Sequence, residues 1–165
     1  MRDSTSGPPA TDNSAVEIVD VAQAGATRPH HDPVARAVWL AAVHPSMRAS
    51  GGTVTTPVKE PAVGRNYYRV GVRLRDGVAV GLLFNAAASL VAAAEPQDHH
   101  SVTLTFVDVP AGDPFSEAEL RVAKAAELIQ PLSDNDLRFL TEDERRDVAY
   151  HHQDRLGDLL FNWFD

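Results

Sequence analysis

The chain has no cysteine, and that absence removes structural disulfides, zinc–thiolate sites and thiol catalysis together. Long apolar runs are missing too. Nothing approaches the ~18 residues that a membrane-spanning helix requires, and the opening MRDSTSGPPATDNS lacks the apolar core of a secretion signal. The expectation is a cytoplasmic protein without membrane association. Gly-rich phosphate loops, GxSxG and HExxH are all absent from the sequence, so no catalytic motif is identified and no cofactor is implied. Lysine is scarce as well, 2 against 13 arginines, a bias that fits GC-rich coding better than function.

What is present is acid, unevenly placed. Residues 1–31 carry 4 acids and 2 bases, 32–111 carry 6 and 7, and 112–165 carry 13 and 6, within a total of −8. An acidic last third repels a phosphate backbone, which disfavours nucleic acid, and suits a basic protein partner.

At 165 residues the length prior is one domain. Residues 1–31 are expected to be a disordered or loosely attached N-terminal segment and 32–165 a single globular domain. A domain of about 135 residues buries roughly two-thirds of its unfolded surface, enough for a core without staples.

The clearest local signal is NYYRVGVRLRDGVAVGLLFN. Tyr68, Val70, Val72 and Leu74 alternate with polar or small residues, and Val78, Val80, Leu82 and Phe84 do the same. A two-residue turn would put the two apolar rows on opposite faces. A three-residue loop Arg75-Asp76-Gly77, with Gly77 left-handed, pairs Val72 with Val80, Val70 with Leu82 and Tyr68 with Phe84 on one face. A third strand is expected over 101–109. Asp32 and Pro33 start a helix that should stop before Pro45. The Ala-rich 86–95 reads as a short helix stopped by Pro96. In 113–131, Ser116 and Glu119 spell a capping box and Phe115 can staple onto Leu120; Thr141 and Glu144 repeat the box. The tetrapeptide LLFN occurs twice, at 82–85 and 159–162. The second copy sits in an expected amphipathic helix of Leu156, Leu159, Leu160, Trp163 and Phe164; unrelated flanks make the repeat a coincidence. The fold expected is α+β, a small mostly antiparallel sheet (hairpin 67–85 plus strand 101–109) packed by several helices on one side.

Three His-His pairs (30–31, 99–100, 151–152) invite a metal site. Adjacent residues diverge on helix or strand, so each pair offers one ligand, and none has metal-site spacing; no metal is assigned. Asp98-His99-His100 resembles the string of the DHH-type phosphoesterases over these three residues only. It precedes an expected strand where that family's string follows one, and no upstream aspartate and histidine set accompanies it. SDNDLRFLTEDE lacks the glycine and glutamate of a calcium loop.

The candidate binding residues lie on the other face of the hairpin. There Gly71 opposes Gly81 and Arg73 opposes Ala79, with Arg69, Tyr67 and Arg65 alongside. Glycine in a strand marks close approach of a ligand or another backbone, and arginine forks suit carboxylates or phosphates. The competing account places one of the protein's own helices across the glycines, with the arginines reaching its acids. The function expected is a protein–protein interaction module, immunity-, chaperone- or adaptor-like. One alternative is a small-molecule or anion-binding protein or enzyme using Arg65, Tyr67, Arg69 and Arg73, together with histidines. The other is a structural subunit whose aromatic end FNWFD meets a neighbouring copy.

Overall fold

The hairpin forms in the register that its alternation and turn chemistry predict. In the computed structural model, which describes residues 22–98 and 103–162, β2 (Tyr68–Arg73) pairs with β3 (Ala79–Asn85) antiparallel, Val72 opposite Val80, Val70 opposite Leu82 and Tyr68 opposite Phe84. Leu74 N donates to Val78 O at 2.8 Å and Gly77 N to Leu74 O at 2.9 Å. Gly77 has φ 88°, the left-handed conformation that lets a three-residue loop close without splaying the strands.

Next to β3 lies a strand that the sequence concealed. The Ala-rich stretch expected as a helix is β4 (Leu90–Ala94), every residue of it buried. It pairs with β3 on one side and, on the other, with β5 (Phe106–Val107) near its end and β6 (Arg121–Val122) near its start. A strand covered on both faces needs no alternation, and alanine's helix preference, under about 1 kcal/mol per residue, yields to that packing. A two-residue strand β1 (Thr53–Val54) borders β2, so the order is β1-β2-β3-β4-β5; β6 alone is parallel to its neighbour. The third strand is shorter than expected: within 103–109 only Phe106–Val107 is extended, and 99–102 lie outside the described residues.

Helix α1 (Pro33–Ser50) starts as expected, with Asp32 Oδ1 accepting from Ala35 N at 2.9 Å and Pro33 in the first turn. It does not stop at Pro45, which lies inside it. Proline removes the donor to the Ala41 carbonyl, but Ala41 is on the exposed face, where a carbonyl open to solvent lowers the cost. Gly51, φ 67°, ends the helix.

The single helix expected between the Ser116 cap and Pro131 does not form; the stretch 113–130 is broken in three. Helix α2 (Asp113–Glu117) is capped by Gly112; Glu119 turns left-handed at φ 62°, and β6 and α3 (Ala125–Leu128) follow. The Ser116–Glu119 box therefore does not form. The open edge of β4 outcompetes the helix: Arg121 N donates to Ser89 O at 3.1 Å and Ala123 N to Val91 O at 2.9 Å. Helices α4 (Asp134–Leu137), α5 (Glu142–Tyr150) and α6 (Leu156–Leu160) complete the described chain. The Thr141–Glu144 box does form on α5. α6 ends at Leu160, and Trp163 and Phe164 lie outside the described residues.

Helices cover both faces of the sheet, not one. Trp39, Ala42, Val43 and Met47 of α1 and Phe115 of α2 pack on Tyr68, Val70, Leu82, Phe84 and Val91. Leu128, Val148, Leu156, Leu159 and Leu160 pack on Tyr67, Leu83, Leu90 and Ala92. The result is a three-layer α/sheet/α body of α+β class.

Two polar locks hold this second face. Glu144, 1% exposed, accepts from Gly25 N (2.9 Å), Thr27 N (3.2 Å), Thr27 Oγ1 (2.8 Å) and Thr141 N (2.9 Å), fastening residues 22–28 to α5. Asn66, Asn85 and Asn162 are buried together. Asn85 and Asn66 each donate to both Ala26 O and Leu160 O, while Asn162 N donates to Asn66 Oδ1 at 2.9 Å.

Candidate functional site

The hairpin's second face is occupied by its own chain. Residues 55–56 fold over Gly71, whose N donates to Thr56 Oγ1 at 2.7 Å; a Cβ on Gly71 would stand 2.8 Å from Thr56 Cγ2. Gly81 is roofed by the Arg69 guanidinium, its Nη2 2.9 Å from where a Cβ would sit. Close approach to the glycines is thus real, but a loop and an arginine make it, not a helix. Arg69 Nη1 donates to Gln97 Oε1 at 3.2 Å.

Arg65, Tyr67 and Arg69 are brought together. The Arg65 guanidinium lies 5.8 Å from the centre of the Tyr67 ring and its Nη2 donates to Glu60 O. Tyr67 is buried, its ring meeting Phe161 edge-on. Burial raises its phenol above the ordinary tyrosine range, and the Arg69 and Arg65 charges offset part of that rise. Arg73 stands apart: it turns to the hairpin tip, where Nη1 donates to Gly77 O at 2.8 Å. An open recess of about 350 Å³ lined by Ser50, Leu74, Arg75 and Asp76 lies between that tip and the C-terminus of α1.

Of the described histidines, His30 and His31 precede α1, His151 and His152 follow α5, and His44 lies within α1. His30 is 3.9 Å from Asp32 and His31 3.9 Å from Glu60; His99 and His100 lie outside the described residues. Among the described residues no three metal-ligating side chains converge.

A surface passed over in the sequence reading is the outer face of α1. The inner stripe, Trp39, Ala42, Val43, Ser46 and Met47, is buried. A second stripe, Val34, Ala37, Val38 and Ala41, recurs at i, i+3, i+4 and i+7 on the opposite side, all exposed, Val34 at 76% and Val38 at 39%. Between Pro33 and Val43 the only polar side chain is Arg36, which pairs with Glu60 at 2.8 Å. Among the described residues, the other exposed large apolar side chains, such as Val63, Ile129 and Tyr150, come from separate segments of the chain. The signal was present in PVARAVWLAAV, whose two stripes together make a helix apolar nearly all round. No helix among the described residues is long and apolar enough to cross a membrane.

Comparison with family models, with curated proteins and with solved structures gives no match in any of the three.

Proposed function

We propose that the protein is a protein–protein interaction module that docks its partner on the outer face of α1. One observation carries this reading: α1 is apolar on both sides, with its inner stripe in the core and Val34, Ala37, Val38 and Ala41 in solvent. An amphipathic surface helix needs one apolar stripe; one apolar all round is ordinarily buried all round. Exposed apolar residues arranged contiguously mark association surfaces, whereas single ones do not. The arginine-flanked face supports an external ligand less well, since Thr56 and Arg69 already fill its glycine floor.

The experiment is affinity capture of the tagged full chain from its host's lysate, beside the Val34→Glu/Val38→Glu variant verified as folded by its melting temperature. A stoichiometric partner held by the native chain and lost by the variant is the expected result. Capture of nothing, or the same partner with both chains, would overturn the reading.

A further inference from the structure

Resting on that reading, we propose that the partner of α1 is an acidic amphipathic helix, seated along Val34, Ala37, Val38 and Ala41 with its carboxylates toward the C-terminal end of α1. The argument is charge complementarity. α1 contains no acidic residue, and beyond Ala41 the exposed polar side chains on its outer side are His44 and Arg48. The hairpin tip adds to them: Arg75 lies against Gly51 at the end of α1, its Cδ 3.1 Å from where a Cβ on that glycine would stand. Glu60, the acid beside Arg36 of α1, is committed to that arginine. A helix lying along α1 thus meets aliphatic side chains first and then His44, Arg48 and Arg75, with Asp76 beside Arg75 in the same recess.

Packing geometry fits a helix as the occupant. Val34 with Val38 and Ala37 with Ala41 form two i, i+4 ridges, the rows that interlock when helices cross. The small alanines admit close approach, and an aliphatic row with charged flanks is how groove-binding helices are read.

The test uses two synthetic helical peptides of α1's length with the same leucine stripe, one flanked by glutamate and one by lysine. Each is titrated into the isotopically labelled full chain and followed by amide shifts. The Glu-flanked peptide is expected to shift α1 amides and to bind about tenfold tighter than the Lys-flanked one at about 50 mM salt, with the gap closing near 500 mM. Arg48→Glu/Arg75→Glu should reverse the preference, and Val34→Glu/Val38→Glu should abolish binding of both. Equal binding, a preference for lysine, shifts mapping elsewhere, or no binding by either peptide would overturn the acidic-helix inference. So would sedimentation showing a dimer that Val38→Glu dissolves, because the stripe would then belong to a second copy. The docking reading itself is decided separately: if lysate capture depends on Val34 and Val38 while the peptides show no charge preference, the module stands and its acidic partner does not.

Discussion

The two LLFN segments meet: Asn85 Nδ2, ending the first, donates to the carbonyl oxygen of Leu160 in the second at 2.7 Å. One copy is strand and the other the end of a helix, so the shared spelling reflects no shared structure. Each still delivers an asparagine to one buried cluster, and there they join the sheet to the C-terminal end of α6. The same Asn85 amide donates to Ala26 O at 2.9 Å, and its Oδ1 accepts from Ala88 N at 3.0 Å.

Asn85→Ala leaves those buried groups short of partners and should cost about 2–3 kcal/mol. Asn85→Asp should cost more at neutral pH, because it turns a carboxylate toward two carbonyls. The gap between the two variants should narrow as acid protonates the aspartate and restores a donor. Urea unfolding of both variants across pH checks the order; equal losses at every pH would contradict it.

Glu144 makes the fold acid-sensitive in a definite direction. Burial pushes its carboxyl up, but hydrogen bonds from Thr141, Gly25 and Thr27 outweigh that and hold it below the ordinary glutamate value. A lowered folded-state pKa means stability that is complete above the unfolded value, near about 4.3, and lost as pH falls through the folded one. Glu144→Gln should therefore be less stable than the native chain at pH 7, by about 2 kcal/mol, and show a flatter acid limb. Melting temperatures of the two proteins from pH 7 to pH 3 test this; parallel curves would contradict it.

Gly157→Ala should reverse a familiar sign. Inside a helix, alanine ordinarily stabilises over glycine by about 1 kcal/mol. In α6 a Cβ at 157 would run into the Phe106 ring and come within 2.9 Å of Leu128 O. The expected loss is about 2 kcal/mol or more, as for other overpacked core sites. An unchanged or raised melting temperature would show that α6 is not pressed against β5 as described.

These residues also show what the sequence made legible. Register in the hairpin was readable because the turn and both alternating rows agree on a single solution. α1's start was readable from Asp32 and Pro33, and the α5 start from Thr141 and Glu144, because caps are local chemistry. β4 was not: Leu90–Ala94 has no period, and its strand state comes from neighbours on both sides. The break at Glu119 was hidden for the same reason, since an open sheet edge, not the local sequence, selects Arg121–Val122. Of the candidate site, sequence grouped Arg65, Tyr67, Arg69 and Arg73 on one face; the structure brings the first three together and turns Arg73 to the hairpin tip. Sequence could not show that Thr56, fifteen residues before Gly71, would cover the glycines. Nor could it show which of α1's two apolar stripes the core would take.

On the opposite side of the body, Val34→Glu/Val38→Glu should leave stability within about 0.5 kcal/mol of the native chain, as for exposed positions without partners. A larger loss in chemical unfolding would mean that the stripe is already covered within the native protein.

The measurement that bears most directly on the account is site-specific photo-crosslinking in the host, with a benzophenone side chain at Ala37 on the α1 stripe and, as control, at exposed Ala126 on α3. The account predicts one discrete adduct from position 37, absent at 126 and lost when Val34 and Val38 are changed to glutamate. No adduct at 37, or the same adducts from both positions, would contradict a docking surface on α1.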